Sequence, residues 1–471
     1  MQTQRCDIGL IGLGTMGRSL VLNLTDHNYS VAGFDRDAAQ GILLRKEATD
    51  RNVMVSASLG EFVNSLKPPR VIILLVPAGK TVDEVINELI PVLTENDLLM
   101  DWGNSHFTDT NIRTNQLAKS AIHFMGVGIS GGEYGARYGP SIMPGGPKIV
   151  YERVASVLEA ISAKVKGEPC VKWLGSGSAG HYVKMVHNGI EYGLMQLISE
   201  SYHLLKVIAG FSNEELQRVF SKWNTGLLES FLIKITADLF SQKDELTDRS
   251  LIDLILDRAQ QKGTGGWTSE DAINLQVPIP VVDAAVSMRN LSVLKEEREL
   301  AQMKLKGPAV KIRPEDKELL IILEQGLYFS MICTYAQGFA LLRSASKKYK
   351  YDLNLSSIAS IWRGGCIIRS SLLEEVRSAF SLQRDLPNLL MDQVVSERIM
   401  RSQKGVRSVI GLAVENGIPV PALMSSLAYY DSYRSGWLPA NLIQAQRDNF
   451  GAHTYERTDR KGVFHTQWNQ S

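Results

Sequence analysis

The stretch Cys6–Leu24, CDIGLIGLGTMGRSLVLNL, begins with a short apolar run and turns through Gly12-Leu13-Gly14-Thr15-Met16-Gly17. It then carries apolar residues at Leu20, Val21 and Leu24, at helical spacing. The order predicts a strand, a tight turn and a helix, with GxGxxG at the junction. Glycines there let the backbone approach a pyrophosphate, which sits at the positive end of the helix. A second apolar run, YSVAGF, ends at Asp35-Arg36-Asp37, 18 residues beyond Gly17. A lone GxGxxG is weak, and a glycine-rich turn without a ligand is the bland alternative. Strand, helix, second strand and acid in this order favour a dinucleotide site.

Further apolar runs, RVIILLVP (70–77) and DLLMDWGN (97–104), are each approached through a helical stretch, as a doubly wound parallel sheet requires. The loop Asp101–His106 follows a strand, where ligands of open α/β sheets bind. The segment Gly126–Gly146 holds eight glycines in 21 residues and reads as a second functional loop. Gly131 and Gly132, after Ser130, expose N–H groups that could hold a carboxylate. Ile129, Tyr134, Ile142 and Met143 favour a packed segment over a flexible surface loop. Asp35 would accept hydrogen bonds from a ribose 2′-hydroxyl and repel a 2′-phosphate, whereas Arg36 is the type of group that pairs with one. With Asp37 added, residue chemistry leans slightly to NAD.

With 44% hydrophobic and 21% charged residues, the 471-residue chain has ordinary globular composition and predicts two or three domains. A net charge of +1 gives no reason to expect nucleic acid or an anionic membrane as the main partner. Cys6, Cys170, Cys333 and Cys366 form no CxxC pair, which predicts a reduced, metal-free protein. We see no signal-peptide pattern at the N-terminus, and no apolar run near the roughly 18 residues of a membrane helix, so a soluble cytoplasmic protein is expected.

From about Gly180, long helical periodicities dominate. In GHYVKMVHNGIEY (180–192), Lys184, His187, Asn188 and Glu191 return to one side of a helix at about 100° per residue. Val183, Met185, Val186 and Ile190 could bury another side. That pattern alone permits a salt-bridged surface stripe or an active site. Two helical runs, YGLMQLISESYHLLKVIAG and LYFSMICTYAQGFALLRSAS, are each followed by Trp-x-x-Gly, at Trp223 and Trp362, and then by similar elements. This predicts a tandem helical duplication, with the tryptophans as core. The polar C-terminal segment beginning at Pro439 has a short helical run and then turns irregular, with Phe450, Tyr455, Phe464 and Trp468 as anchors for docking on a partner.

Together GLGTMGRSL, SGGEYGARYGPSIMPGG, GHYVKMVHNGIEYG, KGTGGWT and LPANLIQAQRDNFGAHTY resemble the decarboxylating 6-phosphogluconate dehydrogenases from end to end. GxGxxG is generic; KMVHNGIEYG and QAQRDNFGAH are highly specific. The expected organisation is an α/β Rossmann-type domain over 1–178, a large all-α domain over 179–436 and a tail over 437–471 docking on the partner subunit. The resemblance implies oxidation of 6-phosphogluconate at C3, decarboxylation and tautomerisation to ribulose 5-phosphate, without a metal. It makes Lys184 the base and then the acid at the C3 oxygen, and Glu191 the acid and then the base of the tautomerisation. To act as a base Lys184 must be neutral, which requires burial or a nearby cation. His187 and Asn188 would hold substrate oxygens; Asn104, Ser130, Gly131 and Gly132 belong to the carboxylate end. Tyr192, Lys262, Thr264 and Arg289 match the phosphate end, and Arg447 and His453 match residues that enter the neighbouring site of a homodimer. Gly189 would serve either close substrate approach or close helix packing.

The cofactor set implied is Gly12, Leu13, Gly14, Thr15, Met16, Gly17, Asp35, Arg36, Asp37, Val76, Pro77, Ala78 and Asn104. Departures from the family pattern cluster here. Pro77 stands where a lysine is usual, Asp35 and Asp37 flank Arg36 in place of Asn and Thr/Ser, and Trp102 replaces a glycine and could reshape the nicotinamide pocket. Tyr134 and Gly266 replace a glutamate and a lysine. The family pattern and Arg36 favour NADP, with NAD as the alternative. A wider β-hydroxyacid dehydrogenase would need no phosphate-binding set. A catalytically weakened paralogue would bind 6-phosphogluconate without turnover.

Overall fold

The computed structural model describes residues 5–309 and 316–468. The chain forms two compact units, one running to Ser426 and the other from Leu427.

The first unit begins with a seven-stranded sheet: β1 Ile8–Ile11, β2 Val31–Phe34, β3 Val53–Val55, β4 Val71–Leu74, β5 Leu98–Asp101, β6 His123–Ser130 and β7 Ser141–Gly145. Its order is β3-β2-β1-β4-β5-β6-β7. β1 to β6 pair in parallel, and β7 runs antiparallel to β6. The apolar runs are continuous because both faces are covered. Leu98 and Met100 join one buried cluster, and the intervening Leu99 joins another. The order reverses between β1 and β4, and ligands of such sheets bind outside the carboxyl ends of the strands near that point.

The segment read as a glycine-rich loop, Gly126–Gly146, is instead the end of β6, the Gly132–Tyr138 helix and β7. Its glycines mark close approaches. A Cβ on Gly126 would lie 2.7 Å from His181 Nδ1, one on Gly128 would overlap the Lys184 side chain, and one on Gly145 would overlap the Gly180 amide. The sheet edge is therefore shaved to receive the Ala179–Leu204 helix, which carries the polar quartet.

Two long helices, Ala179–Leu204 and Asp316–Tyr349, pack on one another, with Thr334 against Gly193 and Ile190 against Gly338. Each leads into a pair of shorter helices, Asn213–Trp223 with Phe231–Ser241, and Leu355–Ile361 with Leu372–Leu382. The duplication expected from the Trp-x-x-Gly echo is present. Trp223 and Trp362 are both buried. The two equivalent loops meet at an antiparallel bridge, where Phe231 N donates to Arg369 O and Ser371 N to Glu229 O, both at 3.0 Å. The expectation that no helix suits a membrane needs correcting. Asp316–Tyr349 is long and apolar enough by length and composition, yet 72% of its most apolar window is buried inside the fold. It is the core helix of the bundle.

In the second unit the segment expected to be irregular is ordered. The Ala440–Gly451 helix precedes a hairpin of Tyr455–Glu456 with Val463–Phe464. Buried Asp448 fastens the two, accepting from Thr454 N at 2.9 Å, Thr466 N at 3.0 Å and Trp468 Nε1 at 2.8 Å.

Candidate active site

The nucleotide cleft is built by the glycines. Gly12 has φ +101°, and a Cβ there would overlap the Leu75 carbonyl. A Cβ on Gly17 would overlap the Gly12 carbonyl, closing the helix onto the strand. Gly14 faces open space and caps the Thr15–Asp26 helix with no side-chain hydrogen bond, so the first-turn N–H groups are left for an anion. The side chain of Leu13 is buried in the core, Thr15 is exposed, and Met16 is half-buried against the core. Gly12, Gly14, Asp35, Arg36, Asp37, Val76 and Pro77 line a cleft of about 360 Å³, and Ala78 follows in the exposed part of the same loop.

The acids at the end of β2 have tasks the sequence did not reveal. Asp35 accepts from Leu13 N at 2.6 Å and from Asp37 N at 2.9 Å, so its carboxylate pins the glycine turn while lining the cleft. Asp37 caps the Ala38–Glu47 helix, accepting from Ala39 N at 3.0 Å. Arg36 donates to Glu84 at 3.1 Å and Glu88 at 2.7 Å, both on the Lys80–Leu89 helix. Trp102 is fully buried among core side chains, with its indole N–H unpaired by any described side chain or backbone group.

The quartet is not a surface stripe: Lys184 is 7%, His187 0% and Asn188 9% exposed, and Glu191 is partly buried, with 22% of its side chain exposed. The helix is buried on nearly every side from Ala179 to Ile190, so simple amphipathicity does not describe it. His187 is the hub. Its Nδ1 lies 3.5 Å from Lys184 Nζ, 3.3 Å from Asn188 Oδ1 and 3.8 Å from Glu191 Oε2, while Nε2 lies 3.3 Å from Ser130 Oγ. Asn188 Nδ2 donates to Asn104 Oδ1 at 3.4 Å, tying the helix to the loop after β5. Gly131 has φ +116° and Gly132 φ +62°; Gly132 faces open space.

Burial is the leading cause of the pKa shifts in this cluster. It lowers the pKa of Lys184, against the opposing pull of Glu191 and Cys366. It raises that of Glu191, against Lys184 and Arg289. His187 is held well below its usual value by burial and then by Lys184. Attraction between Lys184 and Glu191 would favour an ion pair, yet desolvation is the leading cause at both. Burial thus disfavours the charged form of both groups.

At the other end, the Arg289 guanidinium lies 3.4 Å from the Tyr192 ring centroid. Among the described residues its Nη1 is buried without a hydrogen-bond partner, and Nη2 reaches only Met195 Sδ, at 3.6 Å. A half-buried guanidinium with donors to spare suits a phosphate. Thr264 is buried at the start of the Thr264–Asn274 helix, whose cap, Gly263 at φ +92°, provides no side-chain bond. Lys262 is exposed just before it.

Gly189 is explained by helix packing: its Cβ would stand 2.6 Å from Thr268 Cγ2, on the same Thr264–Asn274 helix. Gly189→Ala is expected to cost about 1–3 kcal/mol by overpacking, read as a lower denaturation midpoint.

Arg447 and His453 are exposed in the second unit, where Arg447 Nη1 donates to Gln444 Oε1 at 3.1 Å and the His453 ring lies against Phe450. Sequence reasoning missed the loop after the second repeat tryptophan. Ile367 N lies 3.4 Å from Ser130 Oγ, donating toward it. The Trp362 ring stands edge-on to His187, and Cys366 Sγ donates to Trp362 O at 3.0 Å. The Trp-x-x-Gly echo was the one signal that marked this loop.

A dinucleotide cleft at the carboxyl ends of a parallel sheet, together with a buried lysine and a partly buried carboxyl on the helix packed against β6, defines a nicotinamide-dependent dehydrogenase. Residues 7–175 match the NAD binding domain of 6-phosphogluconate dehydrogenase, and residues 180–468 match the C-terminal domain of the same enzyme. The chain is 53% identical to the NADP(+)-dependent, decarboxylating 6-phosphogluconate dehydrogenase of Bacillus subtilis over 98% of both chains. It is 49% identical to the decarboxylating enzyme of Lactococcus lactis subsp. lactis over 98% of this chain and 99% of that one. The fold superposes with a TM-score of 0.95 on Plasmodium falciparum 6-phosphogluconate dehydrogenase, solved apo, with its cofactor NADP+ and with its substrate 6-phosphogluconate. That structure is 43% identical, and the match covers 98% of this chain and 100% of that one. The chain belongs to the 6-phosphogluconate dehydrogenase family.

Proposed function

We propose that the protein converts 6-phosphogluconate to ribulose 5-phosphate and CO2 with NADP as oxidant, and that Lys184 and Glu191 divide the proton transfers. The observation that carries this reading is the buried pair itself, with the amine lowered and the carboxyl raised in pKa. NADP, when bound along Gly12–Gly17 and Arg36, supplies the hydride acceptor.

Neutral Lys184 takes the C3 hydroxyl proton during oxidation. The resulting ammonium then gives a proton to the C3 oxygen as CO2 leaves, so the electron pair released from the C1–C2 bond is accepted at the ketone. Glu191, whose pKa burial raises, delivers a proton to C1 of the enediol, and its carboxylate then helps form the final ketone. His187, kept neutral, and Asn188 hold substrate oxygens as hydrogen-bonding groups. Ser130 and the N–H groups of Gly131 and Gly132 receive the substrate carboxylate, with Asn104 beside it. Arg289, Tyr192, Thr264 and Lys262 receive the phosphate.

We further propose a homodimer in which Arg447 and His453 complete the neighbouring site. Support comes from the QAQRDNFGAH motif and from the exposure of both side chains.

Steady-state assays with 6-phosphogluconate and either NADP or NAD test the reading. Reduction of NADP with the higher kcat/KM is expected; no reduction of either cofactor would sink it. Arg289→Ala should raise KM for 6-phosphogluconate by on the order of 10²-fold and leave KM for NADP unchanged, since it removes a donor aimed at the phosphate.

A further inference from the structure

We propose that Glu84 and Glu88 are specificity-determining residues that compete with the 2′-phosphate of NADP for Arg36. The inference rests on the NADP reading above, but its test is separable from it.

Arg36 is the cation at the end of β2, and Pro77 leaves the facing loop without a second one. Both arms of its guanidinium are taken, by Glu84 at 3.1 Å and Glu88 at 2.7 Å. The glutamates lie one helical turn apart on the Lys80–Leu89 helix, and Glu88 lines the same cleft as Arg36. All three side chains are close to half exposed, so the pairs are cheap to exchange for a ligand. Exchange does not remove the charges. Asp35 and Asp37 are held in place by hydrogen bonds from backbone N–H groups and Gln40, Lys80 lies 3.7 Å from Glu84, and a phosphate at Arg36 still meets the Glu84 and Glu88 carboxylates in addition to those fixed acids. Those carboxylates set how far the site favours a 2′-phosphate over a 2′-hydroxyl.

Calorimetric titration of the full chain with 2′,5′-ADP and with 5′-ADP measures this without turnover. Glu84→Gln and Glu88→Gln should each tighten 2′,5′-ADP by about three-fold, and together by on the order of ten-fold, with 5′-ADP unchanged. Both substitutions are on an exposed helix face, and unchanged thermal midpoints would show intact folding. Variants whose affinity for 2′,5′-ADP stays level or falls overturn the competition, whatever the wild type prefers; a fall would make the glutamates supports that hold Arg36 in place. Wild type that prefers 5′-ADP, with glutamine variants that gain affinity for 2′,5′-ADP, keeps the competition and overturns NADP as the natural cofactor.

Discussion

Lys184→Ala is expected to lower kcat by on the order of 10³–10⁴-fold, the range for removal of a positioned acid–base group. Here one amine serves two steps, oxidation and decarboxylation, so the upper end is expected. Lys184→Arg should be equally inactive, because a guanidinium stays protonated and cannot accept the C3 proton. Pre-steady-state measurement of reduced nicotinamide separates this from a binding defect: no burst should appear at saturating substrate. Rate should also follow pH in a defined direction. Burial depresses the Lys184 pKa, so kcat/KM rises as pH rises through that lowered value. Stability follows the same group. The unfolded chain binds a proton at Lys184 up to its ordinary value of 10.5, whereas the fold gives that proton up earlier, so this residue's contribution is present at high pH and is lost as pH falls through the window between the two values. Lys184→Met, which removes the titration, should therefore be more stable than wild type at neutral pH. A variant that unfolds more easily there, or one that keeps turnover, would contradict the assigned role.

What the sequence disclosed and withheld follows physical lines. Strand–turn–helix and the quartet were legible because each is encoded within one local period: glycines at fixed offsets, and polar residues at 0, 3, 4 and 7. Their protonation was not legible, since it depends on how deeply the Ala179–Leu204 helix is buried against β6 and the Asp316–Tyr349 helix. The glycines of Gly126–Gly146 looked like loop residues because composition cannot separate a flexible turn from a strand trimmed for close packing. Asp35 and Asp37 looked like cofactor ligands, and the sequence did not show that they also accept from Leu13 N, Asp37 N and Ala39 N, because those backbone partners depend on how the turn folds. Arg36 finds Glu84 and Glu88 48 and 52 positions along the chain, after a crossover of the sheet. Distance in sequence likewise hid the loop of Cys366 and Ile367 from Ser130, 237 residues before Ile367.

Glu191→Gln should separate the last step from the first two. The amide keeps the shape and cannot supply a proton, so protonation at C1 of the enediol must find water instead. Lys184 is untouched, and the burial that leads the lowering of its pKa is unchanged by the substitution. Hydride transfer in the first turnover should therefore proceed at close to the wild-type rate, giving a burst of about one reduced nicotinamide per site, with steady-state turnover then falling by on the order of 10²–10³-fold. The pH profile should change in the matching direction. In the wild type, activity falls as pH rises past the raised Glu191 pKa, because the acid is lost; in Glu191→Gln that alkaline limb should disappear while the Lys184 limb remains. A burst slowed as strongly as the steady state would mean that Glu191 acts on hydride transfer itself. The two groups would then be one coupled acid–base pair bridged by His187, which lies 3.5 Å from Lys184 and 3.8 Å from Glu191.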